Sequence, residues 1–370
     1  MTLLGPVAAP VPGVQKIAVL RANALGDFIV TLPGLDALRQ GYPGAEIVLL
    51  GSDLHRLLLH ERPSPVDRVI VVPPSRGVRN GPEASEQELA RFFAAMRAER
   101  FDLVLQFHGG GRHSNPFVRR LGARVTVGSK ADDAIGLDRS LHYAFHAPEI
   151  LRFVELAALA GAPPVTLEPR LAVTERDLAE VADALRGVSA PFAVLHPGAV
   201  DRRRRWPSDR FAAVGDALAR AGATVVLTGA GEDGGLVDEL AEAMREPAFP
   251  LAGKLSLGGL VGLLARSVLL VGNDSGPRHV AEAVGTRTVA VYWVGNMITT
   301  GPLTRARHRP AVAWTVQCPV CGRNHGREQS GRCEHEPSFV ADVPVEEVLR
   351  PALELFTEAV AEAAPRRLAC

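Results

Sequence analysis

Lysine is almost missing from this 370-residue chain. It occurs at Lys16, Lys130 and Lys254, against 41 Lys and Arg residues in all. Arginine therefore carries nearly all the positive charge, and with plentiful Ala, Gly and Pro this reads as a compositional bias. An excess of either charge is missing too: the formal net charge is +0 at pH 7, which weighs against a protein that holds nucleic acid by bulk charge. No apolar run approaches the roughly 20 residues of a membrane helix. Met1 to Gly13 has neither a basic region nor a long apolar block, so it does not read as a signal peptide. The expectation is a frayed leader on a cytoplasmic protein, with peripheral contact at the inner face of the membrane left open. Cysteines are few and clustered, which weighs against a secreted disulfide scaffold.

What is present is a packed α/β pattern. Hydrophobic residues make up 47% of the chain, enough for two domains with full cores. Short apolar runs at 17–20, 46–50, 68–72 and 103–107 alternate with helical patterns at 33–40 and 86–99. The rhythm restarts with runs at 192–195, 224–227, 268–271 and 288–292, separated by helical patterns at 208–221, 232–245 and 257–265. Continuous apolar strands between helices imply parallel sheets covered on both faces. Pro163, Pro164 and Pro169 mark the joint, so domains are expected at 1–175 and 176–345. A final segment, 346–370, is expected to be a helix returning toward the amino-terminal domain. Two doubly wound, Rossmann-like domains of similar size suggest a cleft, with ligands at the carboxyl ends of the strands.

Several strand ends carry candidate chemistry. After the first strand comes Arg21-Ala-Asn-Ala-Leu-Gly-Asp27. Gly26 permits a tight turn, and Asp27 stands near a helix start, where it can cap the helix or act as a general base. After the fourth strand, His108-Gly-Gly-Gly-Arg-His113 places His108 and His113 on a glycine loop beside an acceptor or cleft. In the second domain, His196-Pro-Gly-Ala199 leads to Arg202-Arg-Arg-Arg-Trp-Pro207. This is either a solvated basic loop or a phosphate clamp, because guanidinium forks match phosphate oxygens. Glu232, in Thr228-Gly-Ala-Gly-Glu-Asp233, is a first-turn helix acid or a ribose ligand. Asn273-Asp-Ser-Gly-Pro-Arg-His279 ends a strand and opens a helix, with Pro277 inside the start and Gly285 past the end. A helix mouth suits a phosphate or a polar sugar.

Four motifs occur in order: Leu-Gly-Asp-x4-Leu-Pro at 25–33, Pro-Gly-Ala with Arg-Trp-Pro at 197–207, Gly-x-x-Glu at 229–232, and Asn-Asp-Ser-Gly-Pro-x-His at 273–279. Together they resemble glycosyltransferase family 9, the heptosyltransferase family, from about Lys16 to about Trp293. The resemblance implies a GT-B fold and inverting transfer of a sugar from a nucleoside-diphosphate sugar, ADP-heptose in type, to a glycan or lipopolysaccharide-core acceptor. It makes Asp27 the base. It makes Arg204, Arg205, Glu232, Asp274, Ser275, Gly276 and His279 donor-binding residues, Arg204 standing where the family usually has lysine. It implies no catalytic metal, and no Asp-x-Asp pair lies near the donor segment. Two alternatives stay open: a nucleotide-sugar epimerase of the same fold, and a non-catalytic nucleotide-sugar-binding module.

Within 318–335 the spacing Cys318-x2-Cys321-x11-Cys333-x-His335 offers three thiolates and an imidazole, a set suited to structural zinc. His325 is an alternative fourth ligand. Free thiols or a regulatory disulfide are the other readings.

Overall fold

A computed structural model describes residues 7–326, 331 and 333–363. It divides into two compact units, Met1–Ala172 and Val173–Cys370, each built on one six-stranded sheet.

The first sheet comprises β1 (Lys16–Leu20), β2 (Glu46–Gly51), β3 (Arg68–Val71), β4 (Leu103–Gln106), β5 (Val125–Lys130) and β6 (Arg139–His142). Their order is β3-β2-β1-β4-β5-β6 and every pairing is parallel. Helices cover both faces, so Ile17, Ala18, Val19 and Leu20 are all fully buried. The chain winds outward in opposite directions from β1 and β4. Their carboxyl ends form a topological switch point, where diverging loops leave room for a ligand. Asp27 and His108 lie just past those two strand ends.

The second sheet repeats the arrangement with β7 (Phe192–His196), β8 (Thr224–Leu227), β9 (Ala248–Pro250), β10 (Leu269–Asn273), β11 (Arg287–Trp293) and β12 (His308–Ala313). The order is β12-β11-β10-β7-β8-β9, again all parallel. Its switch point lies between β7 and β10, whose loops carry the arginine run and Asp274. Trp206 locks the arginine loop into the core. Its ring is buried against Phe211, 5.0 Å between centroids, and its indole N–H donates to the Val343 carbonyl at 3.0 Å.

One expectation changes. The leader is docked over part of its length: the Ala8 N–H donates to the Ala158 carbonyl, and the Val11 N–H to the Tyr42 hydroxyl, each at 3.0 Å. The last helix, Val345–Ala363, buries Val348, Ala352, Leu355 and Phe356 in the core of its own carboxy-terminal unit, beside Trp206 and Phe211. An amphipathic helix lies wherever its apolar stripe finds cover, and here that cover is the helix Ser208–Arg220 and β11. Residues 364–370, with Cys370, lie outside the described residues.

Candidate functional site

In the amino-terminal unit the site grows from Arg21, the first residue past β1. Its guanidinium is buried and saturated. Nε donates to the Asp27 carbonyl, Nη1 to the Phe107 carbonyl and Nη2 to Glu149 Oε2, each at 2.8 Å. Phe153 lies under it, 5.0 Å away, and Glu149 is also held by Arg152 Nη1 at 2.8 Å. Asp27 sits in the first turn of the short helix Leu25–Ile29. One carboxylate oxygen accepts from the Ala24 N–H at 3.2 Å. The other is 3.2 Å from Arg21 Nη2, and the side chain remains 36% exposed. Asp27 therefore does help cap its helix, and it is also a fixed carboxylate open to solvent.

Two imidazoles share the Arg21 field. Burial, followed by the Arg21 charge, pushes His108 down to about 3. The same causes in the same order bring His55 to about 4, where a hydrogen bond from the ring to the Ala24 backbone acts the other way and the Arg79 charge adds to the lowering. Both rings are neutral near pH 7. Gln106 fixes the glycine loop, its amide donating to the His108 carbonyl at 2.8 Å. His113 stands apart at the start of the helix Ser114–Arg119, against Gly77.

Burial of these rings has a measurable consequence. They bind a proton less readily in the folded chain than in the unfolded one, where the reference is 6.5. Below that value the unfolded state holds more protons, so stability falls as pH drops from about 6.5 toward 4. Urea midpoints measured across this range should decline; a flat profile would show that the rings are accessible.

In the carboxy-terminal unit the centre is Asp274, one residue past β10 and only 1% exposed. Its Oδ2 accepts from Arg204 Nη1 at 3.1 Å and from Asn296 Nδ2 at 2.7 Å. Its Oδ1 faces Arg278 Nη2 at 3.6 Å and His279 Nε2 at 3.7 Å. Arg278 is fully buried, paired with Glu282 and with the Thr300 carbonyl at 2.9 Å. Burial, then the Arg278 and Arg204 charges, holds His279 well below the ordinary histidine range. Ser275 precedes the helix Gly276–Ala283, whose first N–H groups have no earlier turn to accept them. The Ser275 hydroxyl is buried with no hydrogen-bond partner among the described residues.

The two neighbouring loops are tied to this centre. Asn273 Oδ1 accepts from the Trp206 N–H at 3.0 Å, and Asn273 Nδ2 donates to the Pro197 carbonyl at 2.7 Å. Arg205 Nε donates to the Ala199 carbonyl at 2.8 Å, with Asp233 3.8 Å from its Nη2. Asp233 packs so closely on both glycine turns that a Cβ at Gly198 would lie 2.6 Å from its carboxylate. Glu232 is exposed on the single turn Gly231–Asp233. The structure thus brings Arg204, Arg205, Asp274, Ser275, Gly276 and His279 to one switch point. Sequence reasoning missed Arg21, Glu149, Asp233, Arg278 and Asn296. Arg278 was legible only as one arginine among many.

The third group is Cys318, Cys321, Cys333 and His335, whose ligand atoms all lie within 4.8 Å of one another. Cys318 and Cys333 are buried against Phe339 and Trp293. The turn at Cys318 is closed by the Gly322 N–H donating to the Cys318 carbonyl at 2.8 Å. His325 Nε2 is 3.2 Å from the Cys333 sulfur. Three soft thiolates and an imidazole at this spacing fit a tetrahedral metal ion.

Known proteins with the same pattern resolve the class. A profile of glycosyltransferase family 9 (heptosyltransferase) matches residues 89–324. Lipopolysaccharide heptosyltransferase 3 of Escherichia coli is 28% identical over 309 residues, covering 74% of this chain and 85% of that protein. Among solved structures, the family 9 glycosyl transferase from Veillonella parvula has a TM-score of 0.74 at 22% identity, covering 93% of this chain and 97% of its own. E. coli ADP-heptose lps heptosyltransferase II has a TM-score of 0.70 at 22% identity, covering 94% of this chain and 100% of its own. The two parallel sheets, the motifs in order and the profile match agree: the chain belongs to glycosyltransferase family 9, the heptosyltransferases, and is a glycosyltransferase of GT-B fold.

Proposed function

We propose that this enzyme transfers heptose, with inversion, from ADP-heptose to a lipopolysaccharide-core or related glycan acceptor. The observation that carries the reading is the Arg204–Asp274 pair set at the mouth of the helix Gly276–Ala283. A guanidinium fixed by a buried carboxylate, next to unpaired helix N–H groups, is a preorganised anion site. It suits a leaving diphosphate, and Ser275 and Gly276 add donors there. The Asp274 carboxylate and His279 would support that site from behind. Glu232 is read as the acid that meets the nucleoside.

In this mechanism Asp27 removes the proton from an acceptor hydroxyl. The resulting oxygen nucleophile attacks the anomeric carbon opposite the nucleotide. The bond to the diphosphate breaks as the new glycosidic bond forms, and the negative charge growing on ADP meets Arg204 and Arg205. Arginine rather than a divalent cation carries that charge. Gly26, His108 and His113 are read as acceptor-side residues. No helix among the described residues is long and apolar enough to cross a membrane; we read the enzyme as acting at the cytoplasmic membrane face on a lipid-linked acceptor. The cysteine cluster is read as a structural zinc site that takes no part in transfer.

The test is acceptor-dependent ADP release from ADP-heptose, with UDP- and GDP-sugars as controls. Release that needs the acceptor supports transfer. Donor binding without release supports a binding module instead. Arg204→Ala should weaken ADP affinity about 10- to 100-fold, since a hydrogen bond to a charged group contributes roughly 1.5–3 kcal/mol. Unchanged affinity by calorimetry would reduce this arginine to a loop residue.

A further inference from the structure

The metal-ligand cluster and the arginine loop are physically joined. Five residues after the ligating Cys333, the chain begins to line the back of the arginine loop. The Ser338 hydroxyl donates to the Arg205 carbonyl at 2.6 Å, and the Phe339 N–H donates to the Arg203 carbonyl at 2.7 Å. The Arg203 guanidinium lies over the Phe339 ring at 5.5 Å. Farther on, the Val343 carbonyl accepts from the Trp206 indole at 3.0 Å and from Arg210 Nη1 at 2.6 Å. The loop 202–206 is therefore held from two sides. Its Arg204 and Arg205 side chains are tied to Asp274 and the Ala199 carbonyl, while its backbone and Trp206 hang on residues 338–343.

The far end of that second side, Val340 and Val343, is anchored in the carboxy-terminal core; its near end, Ser338 and Phe339, rests on the cluster. The core there consists of Cys318, Cys333 and Phe339, with Trp293 half-buried beside them. Two of those four residues are ligands themselves, and most of the other described residues between 314 and 337 are exposed or half-buried. So small an apolar core stabilises a loop weakly. A metal held by three thiolates and an imidazole contributes folding free energy outright.

We propose that a zinc ion bound by Cys318, Cys321, Cys333 and His335 acts as a clip, fixing Ser338 and Phe339 and through them the backbone of the loop that presents Arg204 and Arg205 to the nucleoside diphosphate. The metal touches no substrate. It positions the loop, so its occupancy and nucleotide affinity are coupled, and coupling is reciprocal: zinc tightens ADP, and ADP tightens zinc. The clip rests on the donor reading for its functional consequence but not for its mechanical one, and two readouts separate them.

The experiment uses the full chain, purified reduced without chelator. About one zinc per chain is expected. Stripping it with a chelator should weaken ADP affinity about 5- to 150-fold, the usual range of such couplings, and zinc added back should restore it. Hydrogen exchange, which needs no nucleotide, should accelerate at the amides of residues 203–206 and of Phe339 in the stripped protein, while β7, β8 and β10 stay protected. Cys321→Ser removes an exposed ligand and should reproduce stripping. Ser338→Ala should keep its zinc and still lose affinity, a split that a merely stabilising metal would not give. Absence of stoichiometric zinc, or unchanged exchange at 203–206 after its removal, overturns the clip. Faster exchange in a protein whose zinc form binds no ADP sustains the clip and overturns the donor reading alone.

Discussion

Asp27→Ala is expected to slow acceptor-dependent ADP release at least about a hundredfold, the lower end of what a positioned general base contributes, while ADP-heptose affinity stays nearly constant. The split follows from placement. Asp27 belongs to the amino-terminal unit, and the groups read as binding the diphosphate belong to the carboxy-terminal one. Alanine also removes the acceptor of the Ala24 N–H, a capping loss of about 1 kcal/mol, so a slower variant could simply be a less folded one. Asp27→Asn separates the two effects. The amide keeps an oxygen for Ala24 and fits the same space, yet it cannot take the acceptor's proton. If the asparagine variant melts like the parent and is as slow as the alanine variant, the carboxylate is the base. Near-normal turnover in a folded Asp27→Asn protein would leave Asp27 as a cap and nothing more.

The Arg21 bridge refines this expectation. Arg21 reaches Asp27, Phe107 and Glu149 together, so the carboxylate is aimed by a group that is itself immobile. Sequence reading found the carboxylate and not its holder, because Glu149 lies 128 positions downstream of Arg21. A motif scan finds neighbours in sequence; it does not find partners that meet only when β1 is placed beside the helix Glu149–Leu159.

The same distinction runs through the fold. Central strands were legible because burial on both faces demands continuous apolar runs: β1, β2, β7 and β10 are all written that way. The helix after β10 was legible from its punctuation, with Pro277 in its first turn and Gly285 at a φ of +84° just beyond it, a conformation that disfavours any residue with a Cβ. The missed strands had no such signal. β6 and β9 are short edge strands with partly exposed residues, and the edge strand β12 contains Pro310. Edge positions tolerate what interior ones do not. β5 is interior but reads Val-Thr-Val-Gly-Ser-Lys. Its Thr126 is satisfied by Asp138 at 2.7 Å, and the Ser129 carbonyl by Asn115 at 2.9 Å, so polar residues are buried there without an apolar pattern. In the segment 273–279 the motif located Asp274, but its role as a hub depends on Asn296, Arg278 and Arg204, which converge only through tertiary packing.

That hub predicts the largest loss of stability. Asp274→Ala should destabilise the protein by about 3–5 kcal/mol, the cost of breaking a buried ion pair and leaving its partner charge behind. Arg278 is fully buried and cannot reach water. Glu282 stays as a partner, yet the carboxylate that faces both Arg204 and Arg278 would be gone. The urea midpoint should fall at an unchanged slope if the native state simply weakens. ADP affinity should fall with it, because Arg204 loses the group that aims it, although alanine removes a negative charge from beside an anion. This sign is the discriminating feature. If Asp274 touched the diphosphate only as a neighbouring charge, its removal would relieve repulsion and tighten ADP. Weaker binding is expected only if the carboxylate works through Arg204. Asp274→Asn retains an oxygen for Arg204 at 3.1 Å and should fall between the parent and alanine in both stability and affinity. Tighter ADP binding by either variant would dissolve the link between the buried carboxylate and the cradle in front of it.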